Sequence, residues 1–273
     1  MKKIKIRSMF VAPKDHYLVS WDLSQAESWV VAYLANEQNM KHSLSNGDIH
    51  FDTALVLFEK SKEEFTAVKS SDETTYKQMR YTAKRYNHAS AYRMGPHRAA
   101  QVINQDSDQP PYVVVTIKQS KIFSERWHGY YNLHNWWAQI EAQLSSNRTL
   151  VTPYGRIRTF FAPWGNELFK EATAFVPQST VADHLNGYIQ PELGVCGGLR
   201  EVRKRYMVPG RIRVVNQSHD SILAEVPKEN VKEIIREVAS LLYRPLVVNN
   251  EQFTIPVSCE YGERWGELEE VKL

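Results

Sequence analysis

Residues 17–27 read YLVSWDLSQAE, and this stretch sets the fold prediction. The apolar run at 17–21 is typical of a buried strand, and Asp22 closes it. Ser24 and Glu27 stand three residues apart, a pattern typical of the first turn of a helix. The stretch therefore predicts a buried strand that ends on a carboxylate and leads into a helix.

A second aspartate lies in a predicted hairpin at 211–226, which reads RIRVVNQSHDSILAEV. Its two apolar runs flank a polar turn that holds Asp220. Mg²⁺ takes one or two protein carboxylates together with water and phosphate oxygens. Two such ions about 3.5–4 Å apart serve in-line phosphoryl displacement, so two carboxylates from distant segments suffice. On spacing alone, however, an aspartate at a strand end is more often a solvated or capping residue.

Residues 73–94 predict one long helix, because no glycine or proline interrupts them before Gly95. On that helix Arg80, Lys84, His88 and Tyr92 recur every four residues, so they form a continuous stripe on one face. Cations suit phosphates and ring faces suit stacked bases, so the stripe fits a nucleoside triphosphate. The alternative is a solvated basic face with an aromatic residue tucked into the core.

The other patterns complete an α+β fold, a small antiparallel sheet with helices inserted between its strands. They predict a loop at 104–112, a helix at 120–144, a hairpin at 149–158, a helix from about 167 into the 180s, a helix at 229–243 and a last strand at 253–257.

Composition narrows the class of protein. No apolar run of 18 or more residues exists, so no membrane span is expected. Cys196 and Cys259 lie far apart, which predicts two reduced thiols in an intracellular protein rather than a zinc site. The net charge of +3 permits nucleic-acid binding without arguing for it. The basic residues cluster in two regions: Lys77, Arg80, Lys84, Arg85, Arg93 and Arg98, and then Arg200, Arg203, Lys204, Arg205, Arg211 and Arg213.

Several segments follow one another in an informative order. They are LVSWDLSQAE at 18–27, DIHFDTA at 48–54, the pattern of Arg80, Lys84 and Tyr92, TPYGRIR at 152–158, VPQSTVAD at 176–183 and HDS at 219–221. In this order they resemble the motifs of the family A DNA polymerases, the group of bacterial polymerase I and phage replicases. The first resembles motif A, the stripe motif B and the last motif C. Each motif alone is weak evidence for the family. Their shared order outweighs the alternatives given above, in which the aspartates are solvated or capping residues and the basic helix face is merely solvated.

The resemblance implies a right-hand polymerase palm, a small antiparallel sheet backed by helices, with a helical fingers subdomain inserted. It places the palm at 1–36 and 146–273, and the fingers at 37–145 with the motif B helix at about 73–94. Family members carry a thumb and a 3′–5′ exonuclease domain upstream of motif A, and we expect both to be absent from this chain. The expected location is the cytoplasm of a bacterial or phage-infected cell.

The implied activity is template-directed DNA synthesis: nucleotidyl transfer from a dNTP to a primer 3′-hydroxyl by a two-metal mechanism. Asp22 and Asp220, helped by the Leu23 backbone carbonyl, would hold two Mg²⁺ ions, for which Mn²⁺ is a substitute, and Lys84 joins the two aspartates as a catalytic residue. The residues implied to bind the nucleotide are Gln25, Glu27 as the steric gate against a ribose 2′-hydroxyl, His50, Arg80, Lys84, His88 and Tyr92. Those implied to contact the primer–template are Arg156, Gln178, Gln217 and His219.

The chain departs from the family pattern at a few positions. His88 stands where Phe or Tyr is usual, and Ala89 and Arg93 stand where Gly is usual. Arg93 adds bulk and charge beside Tyr92, which puts the placement of the template in question. Ser221 replaces a common Glu, so the site loses an auxiliary carboxylate but no core ligand.

The resemblance begins just before motif A, so a further hypothesis is a split polymerase. A second polypeptide would then supply the thumb, with proofreading as an added role. A truncated chain and a compact polymerase without a thumb are the alternatives. The main rival function is a catalytically degenerate polymerase-like subunit that binds nucleic acid or a replication partner. A single-subunit RNA polymerase or a reverse transcriptase is the other enzyme alternative. Glu27 favours deoxynucleotides, and the segments at 48–54 and 176–183 favour the DNA-dependent family.

Overall fold

The computed structural model describes residues 6–105, 107, 110–190, 193–194 and 197–273. The chain forms two compact units. The sheet unit comprises Met1–Glu27, Val151–Arg156 and Gln178–Leu273, and the helical unit comprises Ser28–Leu150 and Ile157–Pro177. The predicted boundaries of palm and fingers stay a prediction. In the described part of the chain, no helix combines the length and the apolar character that a membrane crossing requires.

The helices and strands alternate along the chain. The helices are α1 (Ala26–Leu34), α2 (Gln38–Ser45), α3 (Ile49–Phe58), α4 (Lys62–Ser71), α5 (Glu73–Ala91), α6 (Pro96–Asn104), α7 (Ile117–Tyr130), α8 (His134–Asn147), α9 (Asn166–Asn186), α10 (Gly198–Val202) and α11 (Val231–Leu242). The strands are β1 (His16–Leu23), β2 (Thr149–Val151), β3 (Ile157–Thr159), β4 (Arg213–Ser218), β5 (Ser221–Pro227), β6 (Pro245–Val248), β7 (Glu251–Thr254), β8 (Val257–Gly262) and β9 (Glu269–Val271). A π-helical turn, Arg203–Met207, continues α10.

The main sheet has five strands in the order β4-β5-β1-β8-β9, and its neighbouring strands pair antiparallel. Two smaller sheets pair β2 with β3 and β6 with β7. The predicted α+β class with a small antiparallel sheet is therefore confirmed. The predicted hairpins at 149–158 and 211–226 are present as β2–β3 and β4–β5.

Trp21 anchors the central strand β1 to the helix behind it. Its side chain is fully buried, and its Nε1 donates a hydrogen bond to the Ile235 carbonyl of α11 at 3.0 Å. Burial of about 200 Å² of indole at about 25 cal/mol per Å² stabilises this contact by about 5 kcal/mol. Because side chains alternate along a strand, Ser20 and Asp22 then lie on the opposite face of the sheet.

Helix α5 is the centre of the helical unit, where it packs against α3, α4, α6 and α7. Its inner side buries Ala83, Tyr86 and Asn87. The Tyr86 hydroxyl donates to the Ser120 carbonyl at 3.1 Å, which ties α5 to α7. The outer side leaves Lys84 and His88 exposed, as the predicted stripe requires.

Helix α5 is shorter than predicted, since it ends at Ala91 rather than near residue 94. Arg93 has a φ of 62°, in the left-handed region, and the Met94 amide turns back to the Ala89 carbonyl at 3.1 Å. This backbone geometry stops the helix although neither residue signals a stop in sequence. Tyr92 therefore follows the helix as its C-cap instead of continuing the stripe.

The predicted helix at 120–144 is wrong, because it is two helices, α7 and α8. Tyr131 takes an extended conformation, and its side chain and that of Leu133 are fully buried. The Asn132 side chain accepts the His134 amide at 3.2 Å and so starts α8. Tertiary burial of two apolar side chains outweighs local helix propensity at this point.

The predicted last strand at 253–257 is also wrong. Its residues are divided between β7 and β8, which belong to different sheets. Pro256 lies between them, and proline has no N–H with which to continue a ladder. The sequence prediction missed β8 and β9. In β8, Cys259 is a buried free thiol whose pKa is raised to about 12 by burial. Cys196 lies outside the described residues.

Candidate functional site

Asp22 and Asp220 lie at the same end of the main sheet, Asp22 on β1 and Asp220 in the turn that leads into the neighbouring strand β5. Asp22 is paired with Ser221 in the β1–β5 register, which makes Asp220 the adjacent position. The Leu23 amide donates to the Asp220 carbonyl at 3.0 Å and fixes this approach. His219 precedes Asp220 in the tight turn between β4 and β5, with a φ of 51°. The fold thus brings together two carboxylates that are distant in sequence.

A polar cleft of about 230 Å³ opens on the sheet face that carries Asp22. Its lining is rich in hydroxyl and carboxylate oxygens, which are the ligands that Mg²⁺ prefers. Among the described residues no three His, Cys, Asp or Glu side chains converge as a complete metal cage. The oxygen donors of the cleft suit a hard cation such as Mg²⁺, which retains water and substrate oxygens. The residues that line the cleft are Arg7, Ser20, Asp22, Asn216, Ser218, Ser221, Leu223, Ser258, Glu260 and Trp265.

Sequence reasoning missed part of this cleft. Ser258 and Glu260 belong to β8, whose pairing with β1 places Ser258 opposite Asp22 and Glu260 opposite Ser20. Arg7 and Trp265 meet through a cation–π contact of 5.0 Å. The alternation after Pro256 could have identified Ser258 and Glu260 as residues of a strand, although not the pairing of that strand with β1.

In the helical unit, a cationic cluster surrounds the start of α3. Arg80 on α5 donates from Nε to Asp48 at 2.9 Å, and Asp48 also caps α3 by accepting the His50 amide at 3.0 Å. Lys84, one turn further along α5, is exposed. The predicted residues Arg80, Lys84 and His50 are therefore brought together, and Asp48 orients the first of them.

His50 is held neutral by its environment. Burial lowers its pKa to about 4; Asp48 opposes this shift, while the charges of Arg80 and Lys84 reinforce it. The Asn87 amide nitrogen lies 3.0 Å from His50 Nδ1. Since an amide NH₂ only donates, Nδ1 is the acceptor, and the proton of the neutral ring is on Nε2. His50 can thus donate one hydrogen bond to a phosphate oxygen without carrying a charge.

Asn87 is a second residue that sequence reasoning missed. Its carbonyl oxygen accepts hydrogen bonds from Thr53 Oγ1 at 2.9 Å and from Trp127 Nε1 at 2.8 Å. These two donors fix the orientation of the amide, so that its NH₂ must face His50. A buried asparagine inside a helix gives no periodic signal, so the pattern of α5 did not reveal it.

The end of α5 is anchored by Arg93. Its guanidinium forms an ion pair with Glu141 and lies 5.3 Å from the Trp137 ring and 5.2 Å from the Phe169 ring. Arg93 therefore points into the helical unit. Its neighbour Tyr92 packs edge-to-face on His88 with ring centroids 5.4 Å apart.

Gln25 and Glu27 stand where β1 passes into α1. Gln25 has a φ of 57°, which turns the chain, and Glu27 lies half-buried in the first turn of the helix. Both belong to the sheet unit, as Asp22 does.

The predicted primer–template residues all belong to the sheet unit. Arg156 donates from Nε to the buried carboxylate of Asp183 at 3.0 Å, and its side chain is 45% exposed. Gln217 donates to the Asn186 side chain at 3.2 Å, while His219 and Gln178 are exposed. Asp183 orients Arg156 and leaves much of its guanidinium accessible.

Comparison with known proteins identifies the family. The sequence pattern of DNA polymerase family A matches residues 1–267. DNA polymerase I of Geobacillus stearothermophilus is 26% identical over 270 residues, 96% of this chain and 27% of that protein. DNA polymerase I of Chloroflexus aurantiacus is 28% identical over 275 residues, 97% of this chain and 26% of that protein.

A solved structure has the same fold. It is the POL domain of Pol1 from M. smegmatis in complex with DNA primer–template and dNTP, with a TM-score of 0.71 and 20% identity. The match covers 95% of this chain and 42% of that one. This chain spans about a quarter of the length of the curated relatives it matches. The match across nearly all of its residues shows that the chain belongs to DNA polymerase family A.

Proposed function

We propose that this chain carries out template-directed DNA synthesis, by transfer of a nucleotidyl group from a dNTP to a primer 3′-hydroxyl. The observation that carries the proposal is the placement of Asp22, near the end of β1, beside Asp220, in the turn that leads into β5. Asp22 also lines a polar cleft. The membership in family A and the named relatives, which are DNA polymerases I, support it.

Asp22, Asp220 and the Leu23 carbonyl would hold two Mg²⁺ ions. When bound, such ions stabilise the charge on the attacking and leaving oxygens of the displacement. The carboxylates are positioned by rigid backbone, since the Leu23 amide is bonded to the Asp220 carbonyl. The two carboxylates therefore need not reorganise during the reaction. Such preorganisation is the main source of electrostatic catalysis.

The helical unit would bind the triphosphate. Arg80 and Lys84 supply positive charge, and His50 adds a neutral donor from Nε2. Lys84 would neutralise charge that develops on the leaving phosphates. His88 and Tyr92 would meet the sugar and base, Gln25 would contact the nucleotide, and Glu27 would exclude a 2′-hydroxyl.

Arg156, Gln178, Gln217 and His219 would contact the primer–template near its terminus. A copying enzyme must accept every sequence, so these contacts would be to backbone and groove rather than to base identity. The exposure of Gln178 and His219 and the accessible edge of Arg156 support this role.

Primer extension with the Asp220→Asn variant tests the proposal. The wild type should extend a DNA primer with dNTPs in Mg²⁺, and the variant should lose on the order of 10²–10³-fold or more in rate. DNA binding, measured by fluorescence anisotropy, should persist in the variant. Parallel reactions with rNTPs and with an RNA template identify the preferred substrates.

A wild type that binds DNA but never extends it would support the rival function, a degenerate polymerase-like subunit. The expectation of a second polypeptide that supplies a thumb stays a prediction. Gel filtration and extension assays with the chain alone test it, because a stable, processive monomer would contradict a split polymerase.

A further inference from the structure

The second basic cluster of the sequence has no role in the proposed site. Three of its members, Arg200, Arg203 and Lys204, are exposed on α10 and the π-helical turn that follows it. Within the described part of the chain, no carboxylate lies within ion-pair distance of them. By contrast, Arg205 and Arg213 are paired with Glu201 and Glu225. We call the first three the α10 basic patch.

Backbone contacts hold the patch rigidly. Gly187 at the end of α9 and Gly197 before α10 approach so closely that a Cβ on Gly187 would clash with the Gly197 carbonyl oxygen. The same Cβ would lie 2.9 Å from Cβ of Arg200. Glycine is therefore required at the crossing, and α10 is set directly against the end of α9.

Tyr188 and Gln190, which follow α9, are held in place as well. The buried guanidinium of Arg244 donates from Nη1 to the Tyr188 carbonyl at 2.7 Å. The Gln190 side chain donates to the Val247 carbonyl at 2.9 Å and accepts the Val247 amide at 2.8 Å. Tyr188 thus has a defined position although its side chain is 52% exposed.

An open cleft of about 410 Å³ lies between the patch and residues that contact predicted primer–template residues. Arg200 and Arg203 line it together with Asn186 and Tyr188. Asn186 accepts the hydrogen bond from Gln217, and the Arg156 guanidinium lies 5.7 Å from the Tyr188 ring. The patch is therefore continuous with two of the predicted primer–template contacts, all within the sheet unit.

We propose that the α10 basic patch binds the phosphate backbone of duplex DNA and extends the primer–template surface beyond Arg156 and Gln217. The proposal rests on the proposed function, since it takes the duplex at those residues as given. Exposed cations on rigid backbone attract phosphates by displacing condensed counterions, independently of sequence. Arg200 and Arg203 would each contact a phosphate, and Tyr188 would form the floor of the cleft between them and Arg156.

The test is the salt dependence of binding to a primer–template duplex, followed by fluorescence anisotropy with the full chain. In the double variant Arg200→Ala/Arg203→Ala, the slope of log K against log salt concentration should fall by about 1.8, or about 0.9 for each lost phosphate contact. Affinity at moderate salt should drop roughly 10- to 100-fold. The charge-preserving variant Arg200→Lys/Arg203→Lys should restore most of the slope.

The matched control is Lys232→Ala/Arg236→Ala, which removes two exposed charges from α11 in the same unit. An equal loss in this control, or an unchanged slope in the Arg200/Arg203 double variant, would overturn the proposal. If the wild type extends primers while the double variant keeps the wild-type slope, only this inference fails. If the wild type neither binds nor extends the duplex, the proposed function fails with it.

Discussion

At the scale of single residues, His50 is the clearest case of a side chain tuned by its neighbours. Burial, opposed by Asp48 and aided by Arg80 and Lys84, lowers its pKa to about 4. The unfolded chain, with an imidazole pKa near 6.5, binds more protons than the folded one between these values. The contribution of His50 to the free energy of unfolding is therefore fully present above about pH 6.5 and is lost as the pH falls through about 4. The total loss is about 3 kcal/mol.

NMR titration of the His50 imidazole measures its pKa directly. The His50 ring should stay neutral, with its proton on Nε2, at about pH 5.5, where an exposed histidine is largely charged. The variant His50→Gln assigns the signal and should show less loss of stability on acidification. A His50 ring that titrates near pH 6.5 would contradict the buried, Asn87-bound geometry.

Strand and helix periodicity decided which individual site residues could be predicted from the sequence. Asp22 and Asp220 became candidates because apolar runs flank them and because the ordered motifs around them resemble those of family A, and the register of β1 and β5 brings the two positions together. Asn87 and Glu260 were not found. Asn87 matters through hydrogen bonds with distant residues, and Glu260 through the pairing of β8, neither of which has a local pattern.

At the scale of elements, Arg93 decides how α5 ends. It occupies a left-handed conformation that costs a side-chain-bearing residue roughly 1 kcal/mol, and its ion pair with Glu141 and two ring contacts offset this cost. We expect Arg93→Ala to destabilise the protein by about 2 kcal/mol, since it loses the contacts and keeps the backbone cost. Arg93→Gly should be less destabilising by about 1 kcal/mol, because glycine relieves the backbone.

Urea unfolding followed by tryptophan fluorescence compares the variants, with Arg98→Ala as a control on the neighbouring helix α6. Arg98 is exposed, so its removal should change stability by no more than about 0.5 kcal/mol. Equal stabilities of Arg93→Ala and Arg93→Gly would show that the left-handed backbone carries no cost.

The close approach of Gly187, at the end of α9, to Gly197, just before α10, gives a second prediction at the scale of elements. Gly187→Ala should destabilise by more than about 2 kcal/mol, because its Cβ would meet the Gly197 carbonyl and the residue has a φ of 87°. Gly210 has a similar φ of 73° but nothing within 4 Å of its Cβ position. Gly210→Ala therefore isolates the conformational cost, about 1 kcal/mol. Thermal unfolding of both variants measures the difference, and equal costs would contradict the close approach.

The order of elements was largely predictable, whereas their ends were not. The strongly amphipathic α11 and the hairpin β4–β5 appear where periodicity placed them. The break between α7 and α8 depends on burial of Tyr131 and Leu133, which only the tertiary fold specifies. The strand β8 was hidden because Pro256 separates it from β7 by only a short link.

At the scale of the whole molecule, the charges are concentrated at sites rather than spread evenly. The net charge is only +3, yet carboxylates meet at one end of the sheet while exposed cations lie on α5 and α10. The family assignment came from the order of motifs along the whole chain. The missed residues of the cleft needed the three-dimensional pairing of strands, which no linear pattern contains.

This distribution predicts how Mg²⁺ affects global stability. An ion that binds only the folded state stabilises it by RT ln(1 + [L]/Kd), about 1.4 kcal/mol at ten times Kd. Thermal unfolding of the wild type should therefore shift upward by about 3 °C in saturating Mg²⁺. The double variant Asp22→Asn/Asp220→Asn should lose this shift. Without metal it should be more stable than the wild type by on the order of 1 kcal/mol, because two neighbouring negative charges are gone. The control variant Glu63→Gln/Glu64→Gln on α4 removes equal charge from the helical unit and should keep the upward shift of thermal unfolding in Mg²⁺. If this control also loses the shift, the effect of Mg²⁺ belongs to the overall charge of the protein and not to Asp22 and Asp220.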